Sequence, residues 1–229
     1  MKSLRLLFCA VLLLGARGAL CQTSEPDGRF SQPKTTHELD GILEKVEKRY
    51  GLPGFSARFF QVSTIKDMKI EDTASGSILV KRPNKMRWEY EKPEKQIIIT
   101  DGIQLWIYRP EDSQVMIGRA PSFFGDGKGA VFLSDIKQIR RQFAASLEPA
   151  DSGGVHLLKL LPRKRTYELS EIYLSVSKKT HEVVRIVTIN AHGDETRIDL
   201  IGYRFLQNPD DSKFRFIVPK GTDVLELKE

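Results

Sequence analysis

The sequence predicts a mainly β domain with some α structure, in which about ten or eleven antiparallel strands form one curled sheet. Three observations carry this. Apolar and polar residues alternate with period two through most of the chain beyond residue 54. Clusters of Gly, Pro, Asn and Asp punctuate those runs at short intervals, and helical spacing appears in only two places. A flat open sheet of that size is unusual, so strands in such number have to curl around something.

The first element is a helix. Thr35-Thr36-His37-Glu38 is a capping-box pattern, with Thr35 as N-cap and Glu38 at N3. Leu39, Ile42, Leu43, Val46 and Tyr50 follow on one stripe, and Gly51-Leu52-Pro53-Gly54 stops it. From Phe55 the period becomes two. Phe55, Ala57 and Phe59 alternate with Ser56, Arg58 and Phe60, and Ile78 and Val80 alternate with Ser77, Leu79 and Lys81. Met86, Trp88 and Tyr90 face one way; Lys85, Arg87, Glu89 and Glu91 face the other. Pro83-Asn84 makes a tight turn, Asp101-Gly102 joins strands at 97–100 and 104–108, and Arg109-Pro110-Glu111-Asp112 leads to another at 114–117.

The alternation breaks at Gly118. Phe123, Phe124, Gly125, Gly127 and Gly129 follow, and then Phe132, Leu133, Ile136, Ile139, Arg140 and Phe143 recur at helical spacing. This reads as a mobile aromatic segment leading into a second helix, with apolar side chains to hide. Alternation resumes at 155–161, 172–176, 183–189, 196–200 and 214–218, separated by typical turn residues.

Residues 1–21 have the composition of a secretory signal: Lys2 and Arg5, nine apolar residues at 6–14, then Gly15, Ala16, Gly18 and Ala19. Nine apolar residues are too few to cross a bilayer as a helix. Cleavage is expected after Gly18 or Cys21; Leu20 is bulky where a lipid-modification signal takes Gly, Ala or Ser. Residues 22–34, with Pro26, Gly28 and Pro33, read as a flexible tether, and 35–229 as a single domain. Losing Lys2, Arg5 and Arg17 leaves 33 basic against 30 acidic residues, so the formal charge falls from +6 to +3. That weak excess argues against nucleic acid. Cys9 lies in the apolar signal core and Cys21 at its end, leaving at most one cysteine in the exported chain, so an ordinary packed core rather than a disulfide must hold the domain together.

Reactive chemistry is absent from the pattern. The sequence contains no nucleophile elbow, P-loop, dinucleotide glycine pattern or zinc signature, and none of His37, His156, His181 and His192 has a partner at metal spacing. The expectation is no enzyme, no cofactor and no metal.

One run is specific. Val80-Lys81-Arg82-Pro83-Asn84-Lys85-Met86-Arg87-Trp88-Glu89-Tyr90, followed by Pro93, Gln96, Asp101-Gly102, Leu105-Trp106-Ile107-Tyr108 and Gln114-Val115, resembles the LolA family of periplasmic outer-membrane lipoprotein carriers. Phe59-Phe60-Gln61 upstream, and Ile198-Asp199-Leu200 with Phe214-Arg215-Phe216 and residues 219–224 near the end, resemble its outer elements. The resemblance implies an unclosed antiparallel β-barrel covered by helices, with an apolar cavity for acyl chains. It implies a periplasmic monomer that takes lipoproteins from an inner-membrane ABC transporter and delivers them to an outer-membrane acceptor. An acceptor-like or other lipid-binding protein, or a structural β-domain with a filled interior, remains open on the residues alone.

By the same resemblance Arg82 holds the cover shut, since its planar guanidinium suits exchangeable bonds to carbonyls. The acyl-chain cavity is expected at Met86, Trp88 and Tyr90, with Phe123, Phe124, Phe132 and Phe143 contributed by the covering segment. Met86 stands where relatives often carry phenylalanine. The glycine-rich stretch 123–129 departs from the family's covering helices.

Overall fold

Helix α1 (Thr35–Arg49) forms where the stripe predicted it, and Ile42, Leu43, Val46 and the following Tyr50 are buried. Its last turn carries Lys48 and Arg49, charges that suit the negative end of a helix dipole. The structure is a computed structural model and describes residues 35–120, 133, 136–150, 153–164 and 166–227. The predicted signal and tether, and Phe123, Phe124 and Phe132, lie outside the described residues.

Among the described residues, twelve strands form one open sheet. In chain order they are β1 (Gly54–Ile65), β2 (Ile70–Lys81), β3 (Lys85–Lys92), β4 (Gln96–Thr100), β5 (Gln104–Arg109), β6 (Gln114–Arg119), β7 (Phe143–Glu148), β8 (Val155–Pro162), β9 (Glu171–Ser177), β10 (Val183–Ile189), β11 (Glu195–Leu206) and β12 (Asp223–Glu226). A short helix α2 (Gln138–Gln142) precedes β7. The sheet order is β12-β6-β5-β4-β3-β2-β1-β11-β10-β9-β8-β7, antiparallel except where β12 runs beside β6. Local chemistry makes the turns. Asp101 Oδ1 accepts from the amides of Ile103 and Gln104 at 2.8 Å, while Gly102 takes φ +98°, which a side chain would strain.

Core packing shows the curl. Ile98, Leu105 and Ile107 of β4 and β5 share one buried cluster with Leu158, Leu160 and Ile172 of β8 and β9, although many strands separate them in the sheet. One face is therefore wrapped around a common core, to which α1 adds Ile42, Leu43 and Val46. The outer face of β4–β6 has a smaller cluster of Ile99, Trp106 and Val115, covered by Phe216.

Three expectations are corrected. Among the described residues the second helix covers only α2, and Phe143, expected on the covering helix, instead begins β7; β8 needs a hydrogen-bonding neighbour, and Phe143–Glu148 supplies it from Phe143↔Pro162 to Glu148↔Leu157. Residues 214–218 are not a strand. A 3-10 turn (Asp211–Phe214), capped by Asp210 through its bond from the Ser212 amide, leads into an extended strap that buries Phe214 and lays Phe216 on Tyr108, 5.1 Å between ring centroids. The strap then contributes β12, which alternation did not predict, and the strand total among the described residues becomes twelve rather than ten or eleven.

Candidate functional site

The inner face is built by alternation. Phe59 of β1, Ile78 and Val80 of β2, and Met86 and Trp88 of β3 all point inward and are buried, whereas Arg58 and Phe60 point outward and are exposed. Phe59 meets Trp88 and Tyr90 edge-on, both at 4.9 Å between centroids, and Trp88 stacks on Tyr90 at 6.5 Å. Gly76 makes this possible. A Cβ there would lie 2.9 Å from Phe59 Cε1 and 1.9 Å from the Glu89 carbonyl oxygen, so only glycine lets the ring lie flat across β2.

Of the residues singled out in the sequence, Met86 and Trp88 are buried on this face, Tyr90 is half-buried beside them, and Phe143 is buried in the same cluster from β7. Arg82 is half-buried at the end of β2. Its Nη2 donates to the Leu52 carbonyl at 2.6 Å and its backbone amide to the Pro53 carbonyl at 2.7 Å. It therefore grips the connection between α1 and β1.

Two groups that the sequence pattern placed on helix faces, without a role in the site, fasten α1. Arg140 of α2 reaches both carboxylates on one side of the helix, with Nη1 to Asp40 Oδ1 at 2.5 Å, Nε to Glu47 Oε1 at 2.8 Å and Nη2 to the Asp40 carbonyl at 3.2 Å. Asp40 and Glu47 are two turns apart, so one planar guanidinium spans them. At the other end, Tyr50 sits in an aromatic nest with Phe55, Tyr203 and Phe205, its ring 5.4 to 6.1 Å from theirs. Arg49 adds an ion pair to Glu182 and lies 4.0 Å above the Phe205 ring.

Burial pushes the Tyr50 phenol up to about 12, and burial likewise raises Tyr203. Both are neutral hydrogen-bonding groups at any ordinary pH. Among the described residues no cluster of three His, Cys, Asp or Glu side chains is placed to hold a metal, and no helix is long and apolar enough to cross a membrane. What the arrangement offers is a wide apolar face beneath an amphipathic helix that is pinned at its C-terminal end and clipped by Arg140 along its length.

Known proteins share this architecture. A crystal structure of an uncharacterized conserved protein from Thermus thermophilus matches with a TM-score of 0.54 at 15% identity, over 83% of this chain and 99% of that one, which shows a common fold. An outer-membrane lipoprotein carrier protein of Xanthomonas axonopodis pv. citri is 30% identical over 177 residues, covering 76% of this chain and 83% of the relative. One from Pseudomonas aeruginosa is 26% identical over 227 residues, 99% of this chain and 100% of its own length. The model of the outer membrane lipoprotein carrier protein LolA matches residues 51–217, which takes in every strand from β1 to β11, and with it the Arg82 to Tyr90 run and the inner aromatic face; the chain belongs to the LolA family.

Proposed function

We propose that this chain is a periplasmic carrier that holds the acyl chains of lipoproteins against its inner face. It takes them from an inner-membrane ABC transporter and gives them to an outer-membrane acceptor. Residues 1–21 export it, residues 22–34 serve as an N-terminal tether, and 35–229 form the working domain as a monomer without covalent chemistry.

The observation that carries this reading is the apolar face covered by a helix held there through a few buried side chains and partly exposed ion pairs. Ile42, Leu43 and Val46 are the buried side chains that α1 places on the sheet, and its clip to Arg140 is made of partly exposed pairs. Three such side chains contribute roughly 2 kcal/mol each, or about 6 kcal/mol, and each exposed ion pair about 1 kcal/mol or less. An acyl chain of about a dozen methylenes gains roughly 10 kcal/mol at about 0.8 kcal/mol per methylene. The two are close enough for ligand to displace the helix and for the helix to help expel ligand, which a carrier requires.

Met86, Trp88, Tyr90 and Phe143 line the bound chains, joined by Phe123, Phe124 and Phe132. Arg82 secures the cover by holding the end of α1 at Leu52. A lipoprotein analogue with a photoactivatable acyl chain tests the assignment: crosslinks should fall on the inward set, and crosslinks confined to outward Arg87 and Glu89 would refute it. Arg82→Leu should still accept lipoprotein from the donor but pass it slowly to the acceptor, because the closed form no longer competes with the bound chains. Normal rates of both steps, measured separately in a reconstituted assay, would remove Arg82 from the mechanism.

A further inference from the structure

The inner face changes chemistry along its strands. On β1 the buried Phe59 is followed inward by Gln61 and Ser63; on β11, Leu200 and Ile198 give way to Thr196; on β10, Ile186 gives way to Thr188. On β3 Trp88 is followed by Tyr90, opposite the buried Gln96 of β4. Residues paired directly across strands share a face. Ser63 pairs with Thr196, and Thr196 with Thr188, so these positions form one row bordering the apolar wall.

Hydrogen bonds tie the row together. Tyr90 Oη donates to Gln61 Oε1 at 3.1 Å, Gln61 Nε2 donates to Ser63 Oγ at 3.0 Å, and Thr188 Oγ1 donates to the Thr196 carbonyl at 3.4 Å. None of Gln61, Ser63, Tyr90, Thr188 and Thr196 is charged at neutral pH. Gln61 has a second amide hydrogen to give, and Ser63 and Thr196 each bring a hydroxyl hydrogen. An inner face serving only to pack would continue with Val, Ile and Leu at these positions, as β9 does through Ile172, Leu174 and Val176.

Uncharged donors along the margin of an apolar wall match a ligand with hydrocarbon chains that end in carbonyl acceptors. We infer that this row, centred on Gln61, Ser63 and Thr196, is a binding site for the ester carbonyls of a diacylglyceryl group whose chains lie on Phe59 and Trp88. The inference rests on the carrier reading and deepens it, by giving the ligand an orientation: chains toward the aromatic wall, glyceryl linkage at the row. Two sources share this chemistry, the lipid-modified end of a lipoprotein and an ordinary diacyl phospholipid.

The test compares ester-linked with ether-linked ligands of identical chain length, since ethers keep the hydrocarbon and lose the carbonyls. Displacement of an apolar fluorescent dye from the purified chain is measured with a diacylated lipopeptide in both forms, and with phosphatidylethanolamine in both forms. Two neutral hydrogen bonds predict about tenfold tighter binding of the ester lipopeptide. Gln61→Met and Ser63→Ala should each cut that preference to about threefold and leave ether binding unchanged. Should Gln61→Met fold poorly by circular dichroism, Ser63→Ala and Thr196→Val carry the test. A preference limited to the lipopeptide assigns the row to lipoproteins; the same preference for phosphatidylethanolamine assigns it to diacylglyceryl esters in general. Equal binding of ester and ether by the unmodified chain overturns the inference and leaves the carrier reading standing, whereas failure of every acyl ligand to displace the dye overturns both.

Discussion

Tyr50 and Tyr203 close a ring of hydrogen bonds through a single residue of β10. Tyr50 Oη donates to Tyr203 Oη at 3.0 Å, Tyr203 Oη donates to the Val183 carbonyl at 2.7 Å, and the Val183 amide donates back to Tyr50 Oη at 3.1 Å. The ring lies beside an irregularity in the pairing of β9 with β10, between Val183 and Arg185. Backbone groups of Val183 thus find partners in two side chains, and the end of α1 is fixed to the sheet.

Removing one hydroxyl of this ring should be costly and should change the alkaline limit. Tyr203→Phe deprives Tyr50 of its acceptor and the Val183 carbonyl of its donor, a loss of about 1–3 kcal/mol. Burial holds the Tyr50 phenol at about 12 in the folded chain against an ordinary 10, so the neutral form is the one folding favours. Its stabilisation is full below pH 10 and disappears as the pH rises from 10 to about 12. Urea unfolding at pH 8 and pH 11 should show that loss in the unmodified chain, a smaller one in Tyr50→Phe, where the buried Tyr203 still titrates, and the smallest with both phenols replaced.

Arg140→Gln should loosen α1 without unfolding the sheet. The side chains of Arg140, Asp40 and Glu47 are 36%, 48% and 25% exposed, so the pairs are screened and together hold the helix by about 1–2 kcal/mol at most. Hydrogen exchange in residues 38–47 should quicken about tenfold, with β9–β11 unchanged; Arg140→Lys, which keeps the charge but cannot span both carboxylates, should fall between. Unaltered exchange in α1 would mean that Arg140 holds nothing.

Gly76→Ala should be among the most damaging small changes. The added methyl would lie 1.9 Å from the Glu89 carbonyl oxygen and 2.9 Å from Phe59 Cε1, so β2 and β3 must separate and Phe59 must shift. Overpacking of this kind costs about 3 kcal/mol. A melting temperature equal to that of the unmodified chain would show that β2 yields freely.

The strap should be acid-sensitive. Hydrogen bonds from Lys85 and then Lys81 lower the Asp211 carboxyl to about 2 from its ordinary 3.8. Its contribution is present above pH 3.8 and is lost as the pH falls towards 2. Limited proteolysis of residues 211–227 should accelerate across that interval, and Asp211→Asn should make cleavage fast and independent of acid pH.

Much of this molecule is legible from neighbouring residues. The inward set of Met86, Trp88 and Tyr90 and the outward set of Arg87 and Glu89 follow from alternation, and the α1 stripe from helical spacing, because a side chain's face depends on local backbone period. Phe214 and Phe216 show how local signal misleads. Their alternation is genuine, since Phe214 is buried and Phe216 packs on the sheet with exposed Arg215 between them, but none of the described strands pairs with the strap there. Phe143 misleads in the opposite sense: it continues a helical spacing, yet the unpaired edge of β8 recruits it into β7.

By itself the sequence determined most of the strands, which face of most of them is apolar, and the family likeness carried by the Arg82 to Tyr90 run, all properties of short-range order. Only the tertiary structure decided what fastens α1 and where the inner face turns polar. Tyr50 meets Tyr203 across 153 residues, Arg140 meets Asp40 across 100, and Ser63 shares a row with Thr196 through strand register. Hydrogen bonds and ion pairs act over a few ångströms in space, and no periodicity along a chain records which distant residues the curled sheet will bring to that distance.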